Sequence, residues 1–160
     1  QDLGVQVILE PGRVITGNAG VMLSTVLYEK AAPETDFLII DAGMNDLMRP
    51  ALYDAHHDIL PLNQAGAGAE RKTYDVVGPI CESTDKFAKG REMTAVRPGQ
   101  RIAFMSAGAY GAVLSSSYNA RPLVPEVLVN GSSFDIIRRR PDFEEMIALE
   151  KVPDWLTKTA

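Results

Sequence analysis

Residues 127–137 read VLVNGSSFDII. Two short runs of apolar and β-branched residues flank Asn130-Gly131, and that dipeptide in such a setting is the strongest local signal for a β-hairpin. Both central residues of the expected turn need positive φ, which glycine adopts freely and asparagine tolerates. Working outward, Phe37–Ile40, Tyr74–Val77, Arg101–Met105 and Pro125–Val129 are further short apolar runs, and Arg97-Pro98-Gly99 supplies a turn before one of them. Val5–Leu9, apolar but for Gln6, suits a buried strand and ends at Glu10-Pro11-Gly12-Arg13. Val21–Lys30 is apolar and β-branched enough for a strand, although its length also permits a helix. Many short strands between Gly and Pro turns indicate a mainly β domain, a sandwich or a barrel-like sheet, rather than an alternating α/β one.

Two segments read differently. Residues 66–73, GAGAERKT, are a flexible connection, without the strand–loop–helix context of a phosphate loop. Residues 141–153, PDFEEMIALEKVP, predict a helix that Pro153 ends. Asp142 can cap it, Glu145 completes a capping box, and Phe143, Met146 and Ile147 form one apolar face.

A chain of 160 residues, 46% hydrophobic and 23% charged, is long enough to bury a real core as one domain. Its net charge of −5 and pI near 5.0 argue against a nucleic-acid partner. The one basic run, Arg138-Arg139-Arg140, reads as a solvated strand end. No apolar stretch reaches the roughly 18 residues of a membrane span, and no signal peptide is visible. The single cysteine makes no internal disulfide, so a reducing, cytoplasmic setting is expected. Gln1 opens the chain and an apolar run follows almost at once, so we expect a piece of something longer.

That cysteine, Cys81, lies in GPICESTD at 78–85, beside Glu82 and among turn formers. A core-filling cysteine would sit among apolar neighbours, so its position asks for a chemical reason. A Cys–His nucleophile would need His56 or His57, the only histidines, within hydrogen-bond reach, and the local sequence has no such pattern. Two adjacent histidines and a distant cysteine also lack structural-zinc spacing, so no metal is expected. His56 and His57 read as a structural continuation of the RPALY segment before them.

Four stretches, taken in order and spacing, resemble one family. They are EPGR at 10–13, DAGMNDLMRPALYDAHH at 41–57, GPICESTD at 78–85, and GAYG at 108–111 followed by YNARP at 118–122. Together they are similar to the C-terminal part of the diaminopimelate decarboxylases. These are pyridoxal-phosphate enzymes of the alanine-racemase-like and ornithine-decarboxylase-like group. The resemblance runs from about Val7 to Leu156. It implies a (β/α)₈ barrel that holds the cofactor, a β-sandwich beside it, and a homodimer with composite sites. On that basis residues 1–18 are expected to be a remnant of the barrel, including its last strand, and residues 19–160 the C-terminal β domain with its terminal helix.

The resemblance also implies roles. Glu10 would lie beside the ring nitrogen of the cofactor, with Pro11, Gly12 and Arg13 around it, and Gly12 would let the backbone approach the phosphate. Arg13 and Arg49 would clamp the carboxylate that the substrate keeps, because a guanidinium fork suits carboxylate. Tyr53, four residues after Arg49, would share its face of a helical turn and add a phenolic bond. Tyr110 would touch cofactor and substrate, with its flanking glycines giving the ring space. Cys81 would return a proton to Cα inside the neighbouring subunit, and Glu82 would face the far ammonium group. Two arginines favour diaminopimelate over ornithine or arginine, which lack the second carboxylate. One departure is Leu123, where the family often has a basic residue; a difference at the strand edge is expected there. None of Lys30, Lys72, Lys86, Lys89, Lys151 and Lys158 is placed to bond the cofactor, so the chain alone is expected to be inactive. Two other readings remain, a decarboxylase of another basic amino acid and a non-catalytic dimerisation module.

Overall fold

The computed structural model describes residues 4–63, 66 and 68–157, and the chain divides into two compact units at Ser115/Ser116. The first unit is a six-stranded mixed sheet built from β1 (Met22–Lys30), β2 (Asp36–Ile40), β3 (Ile59–Pro61), β4 (Arg71–Val77), β5 (Lys86–Thr94) and β6 (Arg101–Phe104). The strand order is β3-β6-β1-β2-β4-β5, antiparallel except for the parallel pair β2 and β4. Two short helices, α1 (Arg13–Thr16) and α2 (Arg49–Tyr53), begin with Arg13 and Arg49.

β1 is the strand that curls the sheet. Met22–Thr25 pair with β6, while Val26–Lys30 pair with β2, and the register breaks between Val26 and Tyr28. An extra residue there bends a strand and raises its twist. The edge strands β3 and β5 consequently approach each other, so of the two architectures expected the barrel-like one is seen. Val26, Leu38, Ile40, Leu47, Tyr74, Val76, Ile102 and Phe104 fill the interior, each almost wholly removed from water. The Phe87 and Phe104 rings meet at 4.8 Å in a tilted pair.

Several expectations need correction. Val5–Leu9 forms no ladder among the described residues and is exposed; a strand exists only where a second strand satisfies its backbone, and none lies alongside. β3 and β5 were not expected. β5 reads KFAKGREMT, of which Phe87 and Met93 are buried and Ala88 partly so, and charge masks its alternation, as is common for an edge strand. Of the 66–73 connection, 71–73 belong to β4 and residue 67 lies outside the described residues. Residues 1–3 of the expected barrel remnant and Lys158 in the C-terminal tail also lie outside them.

The second unit holds the hairpin of β7 (Glu126–Asn130) and β8 (Ser133–Arg138), then α3 (Phe143–Ile147) and α4 (Asp154–Thr157). Asn130 pairs with Ser133, so the central turn residues are Gly131 and Ser132 rather than Asn130 and Gly131. Only Gly131 takes positive φ, at 59°. Asp142 and Glu145 form the expected capping box, but the helix stops at Ile147, well short of Pro153. Glu145 also pairs with Arg139, whose guanidinium, with the Asp142 N–H, pulls its carboxyl down to about 2. Leu123 precedes β7 in irregular backbone.

Candidate active site

The turn after β2 reads DAGMND, and its two aspartates accept bonds from nearby backbone and side chains. The Asp41 carboxylate accepts from Ser24 Oγ at 2.6 Å and from the Thr25 N–H at 2.8 Å. Ser24 Oγ in turn accepts from the Ala42 N–H at 3.1 Å. Burial works to raise the Asp41 pKa, but the bonds from Ser24 and Thr25 outweigh it and hold the carboxyl below its ordinary value. Further on, Asp46 accepts from the Gly43 N–H at 2.8 Å and from Asn45 Nδ2 at 3.0 Å, and both side chains are buried. This rigid turn launches α2, with Pro50 in its first turn, where a missing N–H costs nothing.

Arg49 opens α2 and Tyr53 closes it, so the helical turn expected there does carry both. Arg49 stands at the centre of a cluster. Partial burial lowers its pKa, the positive charge of Arg13 lowers it further, and Tyr53 and Tyr110 act in the opposite sense. Arg13 opens α1 and lies over the Tyr110 ring, 5.5 Å from its centroid, within cation–π range. A Cβ on Gly12 would meet the Tyr110 hydroxyl at 3.1 Å. Arg13, Arg49, Tyr53 and Tyr110 are therefore brought together, with Gly12 at the edge. Among the described residues neither arginine forms an ion pair.

Two glycines make this meeting possible. The Ala107 N–H donates to Gly20 O at 2.8 Å, the Gly108 N–H donates to Gly17 O at 3.0 Å, and Ser106 Oγ donates to Asn18 Oδ1 at 2.8 Å. A Cβ on Gly20 would sit 2.6 Å from the Gly108 Cα, so the segment after α1 is stitched directly onto the backbone before Tyr110. The expectation that glycines flank Tyr110 to give its ring space is thus corrected. Gly108 and Gly111 face backbone, at Thr16 and Gly20 and at Ala107 respectively, and Gly12 is the glycine that clears the phenol. Tyr110 itself has φ of 58°, a left-handed conformation of a kind that costs about 1–3 kcal/mol and persists only where the surroundings over-determine it.

Cys81 and Glu82 lie on the 78–85 loop, both exposed, so the thiol is not packed in hydrocarbon. Asp85, itself buried, shapes this loop. Its carboxylate accepts from the Ile80 N–H at 2.7 Å and from the Met44 N–H at 2.7 Å. The first bond closes the loop, and the second ties it to the turn that launches α2. A Cβ on Gly78 would overlap the Asp85 carboxylate and lie 2.7 Å from Ala42 O, so the P-I-C-E turn needs glycine ahead of it. Glu10 and Pro11 precede α1 in exposed, irregular backbone.

His57 stands in the same cluster. It does continue the RPALY segment, but its ring is buried and faces Arg49, with Nε2 3.4 Å from Arg49 Nη1. Ser24, Asp41, Asn45, Asp46 and Asp85 were likewise missed as site builders. The available signal was acids placed between apolar runs, where a buried carboxylate must find backbone donors.

Residues 14–108 match the family described as the pyridoxal-dependent decarboxylase C-terminal sheet domain. Diaminopimelate decarboxylase of Zymomonas mobilis is 46% identical over 94% of this chain, and that of Haemophilus influenzae 47% over 91%. The chain spans about a third of each, 35% of their length. Among solved structures, diaminopimelate decarboxylase from M. jannaschii in complex with L-lysine superposes with a TM-score of 0.86 at 38% identity, covering 92% of this chain and 33% of that one. The Helicobacter pylori enzyme with L-lysine gives 0.81 at 40%, covering 93% and 36%. The chain belongs to the pyridoxal-dependent decarboxylases, as their C-terminal sheet domain.

Asp85→Ala should free the buried Ile80 amide, at about 1–3 kcal/mol, and the part-buried Met44 amide. Hydrogen exchange should then accelerate at Met44 and Ile80 while amides in β6 keep their protection.

Proposed function

We propose that this chain is the C-terminal portion of a diaminopimelate decarboxylase, which converts meso-2,6-diaminopimelate to L-lysine and CO₂ in lysine biosynthesis. The observation that carries the reading is the Arg13–Arg49 pair, two like charges gathered beside two phenols with no carboxylate of the described chain on either. Such a pair is stabilised by an anion, and a guanidinium fork suits a carboxylate. The substrate has a second carboxylate that survives the reaction; ornithine and arginine do not. The relatives that match nearly all of this chain at about 45% identity carry the same name.

The residues present fit pyridoxal phosphate in the complete enzyme. Gly12 leaves beside the Tyr110 hydroxyl a space that a Cβ would fill, and Arg13 adds positive charge there. When bound, the cofactor draws into its ring the electron pair left at Cα by loss of CO₂. Glu10 would keep the ring nitrogen protonated, since a nearby carboxylate favours the charged form. The Gly12 backbone would lie against the phosphate, between Pro11 and Arg13, and Tyr110 would pack on cofactor and substrate. Arg13, Arg49 and Tyr53 hold the retained carboxylate, while Glu82 accepts from the ammonium group beside it. Cys81 gives its proton to Cα and recovers one from water.

The exposed Cys81 loop supports delivery of that thiol to the barrel of a second subunit, hence a homodimer with composite sites. Leu9 and Val14 are 81% and 84% exposed, which supports a covering partner for the segment that would contain the last barrel strand. In this reading 1–18 belong to the barrel and 19–160 to the sheet domain, the chain alone is inactive, and the enzyme works in the cytoplasm.

Two outcomes test the reading in the complete enzyme. Turnover of meso-diaminopimelate should exceed that of ornithine and arginine by at least about 10⁴-fold, the discrimination typical of a site built for a missing polar group; comparable rates would favour a decarboxylase of another basic amino acid, and no turnover at all a non-catalytic module. Cys81→Ala should lower turnover about 10²- to 10⁴-fold with pyridoxal phosphate content unchanged, and undiminished turnover would remove the thiol from proton delivery.

A further inference from the structure

The bonding around His57 has only one chemical solution. Nδ1 lies 2.8 Å from the carbonyl oxygen of Met105, which can only accept, so Nδ1 carries a proton and donates it. Nε2 lies 3.4 Å from Arg49 Nη1, which can only donate, so Nε2 must present a lone pair. The ring is therefore the neutral Nδ1–H tautomer. Burial lowers its affinity for a proton, as do the charges of Arg49 and Arg13, which outweigh the opposing bond to Met105.

The backbone that carries the ring is held separately. Arg91, on β5, donates from Nη1 to His57 O at 2.9 Å and from Nη2 to His56 Nδ1 at 3.1 Å. That leaves His56 Nε2 to donate to Asp58 at 3.1 Å. With the main chain fixed by Arg91 and the ring plane fixed by Met105, the bond from Arg49 is not needed to hold this segment. It constrains the guanidinium instead. A flexible arginine beside another positive charge would otherwise swing into water, losing the fork geometry that carboxylate recognition needs.

We infer that His57 is a positioning residue, a neutral hydrogen-bond acceptor that occupies one edge of the Arg49 guanidinium and turns its remaining N–H groups toward the carboxylate retained by the substrate. The inference rests on the functional reading above. It makes His57 a determinant of specificity for the carboxylate-bearing end, without contact with substrate or cofactor.

The test compares L-lysine with cadaverine, which is lysine without the carboxylate, on the complete cofactor-loaded enzyme. His57→Asn keeps an N–H near the Nδ1 position for Met105 and removes the acceptor; His57→Gln places a carbonyl oxygen near the Nε2 position. The Asn variant should weaken lysine binding at least about tenfold and leave cadaverine binding and pyridoxal phosphate content unchanged. The Gln variant should bind lysine within about fivefold of the wild type. Lysine binding by the Asn variant equal to wild type, or equal losses for lysine and cadaverine in both variants, would overturn the inference alone. A wild-type enzyme with no preference for lysine over cadaverine would overturn the functional reading and this inference with it.

Discussion

Two guanidinium groups held near one another, with no counter-charge among the described residues, are the constraint on which the rest of the structure depends. Arg13 comes from the start of α1 and Arg49 from the start of α2, in segments separated along the chain by two strands. Each would be better solvated apart, and the charge of Arg13 disfavours the protonated form of Arg49. The fold must supply the energy that keeps them together, and a bound carboxylate returns it. Binding energy arranged in advance is the usual basis of an affinity specific for one charge pattern.

What supplies that energy is mostly backbone held by aspartates, of which Asp46 and Asp85 are buried, and by contacts between glycines. Asp41, Asp46 and Asp85 each accept backbone N–H bonds, and they fix the turn before α2 and the loop that offers Cys81 as one piece. Gly20 against Gly108 fixes the segment after α1 to the turn that forces Tyr110 into left-handed backbone. Reactive and charge-reading side chains are exposed or half-exposed, whereas Asp46, Asp85 and His57 behind them are buried. Precision here comes from the second layer, as it does in binding sites generally.

Much of the sheet was legible because β2 and β6 are apolar after their first residue and β4 ends in Tyr74–Val77, where Tyr74 and Val76 are buried. β5 was illegible because its outward residues are charged, and β3 because three residues are too short to show a period. The hairpin was read correctly as a hairpin but one residue out of register, since glycine alone, placed first, satisfies the turn. At the site, Arg13, Arg49, Tyr53 and Tyr110 could be named from their resemblance to a family, and the structure gathers them. Asp85 and His57 could not, because Met44 and Met105, to which they bond, lie far from them in sequence.

The most direct measurement is a crystal structure of the complete polypeptide with pyridoxal phosphate and L-lysine. The lysine carboxylate should lie about 2.7–2.9 Å from nitrogens of Arg49 and Arg13, the length of a charge-assisted bond. A carboxylate seated on other groups, with both guanidinium groups directed into solvent, would contradict the account.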